Sequence, residues 1–278
     1  MDLAAQPHRT VWRGPIALRL HPAGTGPRGL SVAALSGLAS SLSGCGQGER
    51  RGVNILAVDV GGSHVKILAS DAIEFRRFAS GPKMTPDAMV EQVRTLAADW
   101  KFDAATIGYP GPVQHNLVVG EPHNLAPGWV GFDFETAFGC PVKLMNDAAM
   151  QALGSYRGGK MLFLGLGTGL GTTLIVDGVV VPMELGHLPY KKGTFEDYVG
   201  ERGLKARGKK KWRGHVADVT ARLIRALLAE DVVLGGGNVR LLDPLPPGCR
   251  AGDNANAFLG GFRMWEPVPR TAALAVRQ

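Results

Sequence analysis

The chain has 278 residues, 45% hydrophobic and 20% charged, the proportions of a globular protein rather than a disordered or fibrous one. Its three cysteines, Cys45, Cys140 and Cys249, are too widely spaced for a disulfide framework or a CxxC metal site, and no apolar run is long enough to span a bilayer. A formal charge of +7 favours an acidic ligand, and the length allows one large or two modest domains.

Residues 1–52 are rich in Gly, Pro, Ser, Ala and Arg without sustained periodicity and read as a disordered extension. Leu42-Ser43-Gly44-Cys45 resembles a lipoprotein cleavage box, but the stretch before it is far longer than a signal peptide n-region. Folded structure is expected from about Val53.

Asn54-Ile-Leu-Ala-Val-Asp-Val-Gly-Gly-Ser-His-Val-Lys-Ile-Leu68 reads as strand, glycine turn, strand. Backbone amides around Gly61, Gly62 and Ser63 can form an anion-binding concavity. Asp59 beside them would repel a bare phosphate, which suits it to a metal-bound one. The competing reading is a structural hairpin whose Asp caps its own turn. Thr85-Pro86-Asp87 then opens a helix with an N-cap hydroxyl, Pro at N1 and an acid in the first turn. Ala104–Gly108 is a short strand, Glu121–Trp129 a loop rich in hydrogen-bonding side chains, and Val142–Met145 a strand. Asn146-Asp147 begins the next helix, which runs to about Tyr156.

Met161–Val176 repeats the strand, glycine turn, strand pattern around Gly167-Thr168-Gly169, and Asp177-Gly178 signals a further type I′ turn. Two such hairpins suggest two related halves, each offering one phosphate-binding turn to a shared cleft. Val216, Val219, Leu223, Ile224 and Leu227 mark a long amphipathic helix. Asp231–Leu234 is a buried strand leading into Gly235-Gly236-Gly237, where α/β sheets bind ligands. A plain turn is the alternative. Residues 255–265 form a last helix, and 267–278 a tail. Strands alternate with helices throughout, so the class is α/β.

Asp147 stands out as a candidate base: at a helix start, the positive end of the helix should favour its ionised form. An Asn-Asp N-cap pair is the competing explanation. Glu184, His187 and Glu196 lie on loops in a pattern suited to accepting hydrogen bonds from adjacent sugar hydroxyls. The run Gly208-Lys-Lys-Lys-Trp-Arg213 is either a solvated helix lead-in, a polyphosphate track or a nucleic-acid contact.

In this order, these stretches resemble the ROK family of sugar kinases, within the actin-like and hexokinase-like ATPase superfamily, over about Val53 to Glu266. Asp59-Val-Gly-Gly-Ser-His-Val-Lys66 is similar to the family's first phosphate motif, Gly167-Thr-Gly-Leu-Gly171 to its second, and Leu234-Gly-Gly-Gly237 to its adenosine-side glycines. Asn146-Asp147 is similar to the pair of sugar-binding Asn and catalytic Asp. Glu184-Leu-Gly-His187 with Glu196 is similar to the sugar-binding set, and Asn124-Leu125 to the loop over the sugar. The segment 188–204 has no Cys, unlike the many ROK proteins with a zinc motif there, so structural zinc is not expected. This likens the chain most to the branch that includes polyphosphate glucokinases.

The resemblance implies a two-lobed fold with a ligand cleft between lobes: an N-terminal lobe over 53–157 joined by a helix at 255–266, and a C-terminal lobe over 158–254. It implies a glucokinase forming glucose 6-phosphate with ATP or inorganic polyphosphate and Mg²⁺ near Asp59. Lys66 would neutralise phosphate charge and Asp147 would act as general base. A cytoplasmic homodimer without nucleic-acid or membrane partners is expected. A ROK-type sugar-sensing regulator is the second class, against which the absence of a helix-turn-helix pattern in 1–52 weighs.

Overall fold

The computed structural model describes residues 53–266. The expected extension over 1–52, with its Leu42–Cys45 box, and the tail over 267–278 lie outside the described residues.

β1 (Ile55–Val60), β2 (His64–Ala69) and β3 (Arg76–Ala79) form an antiparallel meander. It is followed by α1 (Pro86–Leu96) and β4 (Ala104–Tyr109), then a small hairpin of β5 (Val113–Gln114) and β6 (Leu117–Val118). Next come α2 (Phe134–Phe138), β7 (Val142–Asn146) and α3 (Asp147–Ser155). The second half runs through β8 (Lys160–Leu166), β9 (Leu170–Val176), β10 (Val179–Met183) and a hairpin of β11 (Pro189–Tyr190) and β12 (Gly193–Thr194). It ends with α4 (Phe195–Val199), α5 (Glu201–Leu227), β13 (Asp231–Gly235), β14 (Cys249–Ala251) and α6 (Asn256–Arg263).

The two five-stranded sheets follow one plan, in the orders β3-β2-β1-β4-β7 and β10-β9-β8-β13-β14. In each, three strands turn back on themselves and two more add in parallel to the first. The suspected repeat is therefore a repeat of topology as well as of glycine turns. Parallel neighbours need long crossovers, which α1 and α4–α5 supply. The central strands β1 and β4 are almost wholly buried, in keeping with apolar sequences interrupted chiefly by Asp59 in the first and Thr106 in the second. One core joins Leu56, Val58, Ile67, Met89, Ile107 and Trp129, and another joins Leu162, Leu164, Trp212, Val216 and Leu234.

Local signals set the helix starts. Thr85 Oγ1 accepts from Ala88 N at 3.2 Å to open α1, and Asn146 Oδ1 accepts from Ala149 N at 3.1 Å to open α3. Asp177 and Gly178 both have positive φ, 49° and 83°, as a type I′ turn demands. The amphipathic helix starts earlier than its apolar spacing indicates, at Glu201, and contains a non-helical break at Gly208 (φ 72°, ψ 161°).

The helices that close each half, α3 and α6, cross with almost no side chain between them. A Cβ added to Gly154 would lie 1.8 Å from Asn256 O, and one added to Gly260 would lie 1.8 Å from Met150 O. Helix α6 returns to the first sheet, where Thr106 Oγ1 donates to Gly261 O at 2.9 Å and accepts from Trp265 Nε1 at 2.8 Å. The crossing thereby packs α3, whose first residue is Asp147, between α6 and the rest of the fold.

Candidate active site

Asp147 is the first residue of α3, directly after β7. Asn146 is the N-cap, and its amide nitrogen donates to Gly111 O at 3.1 Å, so it is held at both ends. Asn146 does the N-capping, and Asp147 adds one first-turn bond, its Oδ1 accepting from Ala148 N at 2.8 Å.

The helix field does not decide the protonation of Asp147. The residue keeps some solvent contact, but crowding by protein, then the charge of Asp59 and to a lesser degree that of Glu184, push its pKa up to about 7. The helix amides pull the other way and are outweighed. The expectation of a carboxylate favoured in its ionised form is thus corrected: desolvation and like charge win over the helix terminus. The same finding places Asp147 within electrostatic reach of the first hairpin on one side and the Glu184 segment on the other.

Asp59 and Lys66 face each other across β1 and β2, with Lys66 Nζ donating to Asp59 Oδ2 at 3.0 Å. Neither Gly61 nor Gly62 takes positive φ. Their lack of a side chain serves close approach instead. A Cβ on Gly61 would lie 2.9 Å from His64 O, and one on Gly62 would lie 3.1 Å from Asn124 Cβ. Ser63 lies in the turn, where its carbonyl accepts from Ser80 N at 3.0 Å.

The second turn is packed in a parallel way. A Cβ on Gly169 would lie 2.7 Å from Glu196 Oε2, and Glu201 N donates to Gly167 O at 3.0 Å and to Thr168 O at 3.1 Å. Each glycine turn therefore abuts one residue expected to bind sugar. Glu184 precedes a 3₁₀ turn over Leu185–His187, which brings His187 Nε2 to 3.8 Å from Glu196 Oε1. Within Gly235-Gly236-Gly237, the first two are consumed by internal packing. A Cβ at Gly235 would strike the Phe163 ring at 2.3 Å, and one at Gly236 (φ 85°) would lie 2.5 Å from Leu166 O. Gly237 alone has open space around the position of a Cβ.

Three features escaped the sequence reading. Glu121 accepts from the backbone N–H groups of Gly128, Trp129 and Val130, at 3.1, 3.1 and 3.3 Å, closing the loop that carries Asn124. Working against desolvation, these amides hold Glu121 below the usual carboxylate range. Asn238 Nδ2 reaches Gly167 O at 3.3 Å and supports the second turn. An open recess of about 610 Å³ beside that turn is lined by Thr168, Glu201, Arg202, Lys205 and Ala206. The basic run divides: Lys209, Lys210 and Lys211 are exposed, but Trp212 is fully buried and donates to Val199 O at 2.7 Å, so it is a core residue.

Lys66 engages one Asp59 oxygen and leaves the other clear of it, while Asp59 and Glu184 both act on Asp147 by like charge. Such a donor set fits Mg²⁺ carried on phosphates and water, for which one or two protein carboxylates suffice. No group of three or more His, Cys, Asp or Glu suited to a metal ion occurs among the described residues. No described helix is long and apolar enough to cross a membrane.

The family profile described as ROK family matches residues 55–213. The chain belongs to the ROK family. Among curated relatives, the polyphosphate glucokinase of Mycobacterium tuberculosis is 26% identical over 219 residues, covering 68% of this chain and 80% of that protein. The bifunctional enzyme NanE/NanK of Brucella melitensis is 29% identical over 143 residues, and there the chain spans only 27% of its relative's length. The inorganic polyphosphate/ATP-glucomannokinase of Arthrobacter sp. strain KM superposes with a TM-score of 0.64 at 23% identity, covering 75% of this chain and 96% of that one. The shared fold is the two-lobed actin-like ATPase fold.

Proposed function

We propose that this ROK protein is a sugar kinase, a glucokinase that transfers the terminal phosphoryl group of ATP or inorganic polyphosphate to the 6-hydroxyl of glucose. The observation that carries the reading is the setting of Asp147 at the start of α3, within reach of Asp59 and Glu184, where burial and then their like charge push its pKa up to about 7. A base with a pKa near working pH combines availability with proton affinity. The 26% identical polyphosphate glucokinase supports the substrate class, and the Arthrobacter enzyme's use of both donors supports leaving both open.

In this mechanism the carboxylate of Asp147 accepts the hydroxyl proton as the sugar oxygen attacks phosphorus in line, and ADP or a shortened polyphosphate leaves. Phosphoryl transfer depends chiefly on positioning and charge neutralisation. Asn124, Asn146, Glu184, His187 and Glu196 would orient the hexose. Amides of Gly61, Gly62, Ser63, Gly167, Thr168 and Gly169 would receive phosphate oxygens, with Lys66 balancing their charge. Gly237, beside Gly235 and Gly236, would face the far end of the donor. Mg²⁺ held near Asp59 would neutralise phosphoryl oxygens.

Initial rates with glucose and Mg²⁺, offering ATP and long-chain polyphosphate separately, test the proposal. Glucose 6-phosphate formed with either donor supports it, and the ratio names the donor. Silence with both donors across a hexose panel would leave a sugar-sensing regulator, which a hexose-dependent gel shift on DNA would reveal.

A further inference from the structure

The segment between Glu184 and Glu196 has little regular structure beyond the Leu185–His187 turn. It folds out into the β11–β12 hairpin, which has only two residue pairs, Pro189 with Thr194 and Tyr190 with Gly193. Isolated hairpins of any length are marginal in water, and one this short needs an external anchor. Among its residues only Tyr190 is buried, at 3% exposure. The Tyr190 ring centroid lies 5.4 Å from that of Phe195 and meets Tyr198 edge-on at 5.0 Å. Its hydroxyl donates to Asp218 Oδ2 at 2.8 Å and lies 3.1 Å from His215 Nδ1.

The hydroxyl has one proton, given to Asp218, so it must accept from His215. This assigns the Nδ1–H tautomer to the imidazole. Arg222 Nε completes the chain by donating to Asp218 Oδ2 at 3.2 Å. His215, Asp218 and Arg222 are spaced i, i+3 and i+7 on α5, which puts them on one helix face. Burial, then the charges of Lys191 and Arg207, hold the His215 pKa below its ordinary range. The lowered pKa favours the neutral ring, which carries its proton on Nδ1.

We infer that Tyr190, through its hydroxyl bonds to Asp218 and His215 on α5, is a positioning residue that sets the spacing of Glu184, His187 and Glu196 for hexose binding. The inference rests on the hexose reading of those three residues. Phe195, packed on Tyr190, also donates its backbone N–H to Leu188 O at 3.0 Å and is followed directly by Glu196. Displacement of the hairpin is thereby transmitted to the carboxylate that faces His187 and the second glycine turn.

Tyr190→Phe in the full chain removes only the hydroxyl and keeps the ring packing. Glucose Kd by calorimetry and glucose KM should both rise roughly three- to tenfold, the scale of one lost hydrogen bond. Donor KM should change less than glucose KM, and kcat should stay within about twofold, since the hydroxyl bonds to Asp218 and His215 and to neither glycine turn. Asp218→Asn, which still offers an oxygen to the hydroxyl, should bind glucose nearly as the parent does. Asp218→Ala should match Tyr190→Phe, and the double variant should be no worse than either. Unchanged glucose affinity in Tyr190→Phe, or a uniform loss in kcat and both KM values, overturns the inference. Glu196→Gln separates the two failures. If it weakens glucose binding while Tyr190→Phe does not, only the inference falls. If it has no effect, the hexose reading falls as well.

Discussion

Gly62 and Asn124 touch so closely that the turn expected to hold phosphate also limits the loop expected to cover the sugar. A Cβ at Gly62 would lie 3.1 Å from Asn124 Cβ, tighter than side chains normally pack. Gly62→Ala should therefore raise the KM for glucose as well as that for the donor. Displacing Asn124 costs about 1–3 kcal/mol, the usual range for overpacking. Steady-state kinetics with each substrate varied in turn will read this coupling, and a change confined to the donor KM would show the loop to be independent of the turn.

Loop closure is also predicted to depend on Glu121, whose carboxylate accepts from three backbone N–H groups between Gly128 and Val130. Glu121→Ala leaves those donors to water and should weaken glucose binding on the order of tenfold, or about 1.4 kcal/mol. Amide hydrogen exchange over 124–130 should quicken in the same variant. Normal exchange there would mean that the loop is held by Trp129 and the core beneath it.

The crossing of α3 and α6 has no slack. Gly260→Ala forces the Met150 backbone away from α6 and should lower stability by about 1–3 kcal/mol or more. Thermal unfolding will measure the loss, and an unchanged Tm would show that the two helices part readily.

Stability and catalysis should pull in opposite directions at Asp147. Its pKa is about 7 when folded, against about 3.9 for an unfolded aspartate, so the folded state binds the extra proton between those values. Stability contributed by the neutral form is present below the unfolded pKa and is lost as pH rises through 7. Asp147→Asn should accordingly raise Tm at pH 8 and leave it nearly unchanged at pH 4. Equal shifts at both pH values would mean that the carboxylate carries no such burden.

Much of this was legible in the chain because the signals were local. The two glycine hairpins, the Thr85-Pro86 and Asn146-Asp147 helix starts and the Asp177-Gly178 turn each follow from a few adjacent residues. The Tyr190 network was not legible, since its partners lie 25 and 28 positions away. β14 (Cys249–Ala251) has three residues and no apolar run, so only its pairing with β13 defines it. Trp212 stood inside a basic run that suggested a surface, while its side chain belongs to the core under α5. The protonation of Asp147 depended on Asp59 and Glu184, carboxylates distant in sequence whose approach no local pattern announces.

The central claim is that Asp147 takes the hydroxyl proton, and the pH dependence of glucose phosphorylation by the parent chain and Asp147→Asn tests it most directly. With glucose binding confirmed by calorimetry, kcat/KM of the parent should rise through an apparent pKa near 7. The Asn variant should retain glucose binding and lose at least about a hundredfold in kcat, the lower end of general-base contributions. A variant that binds glucose and turns over with kcat close to the parent's would contradict the account.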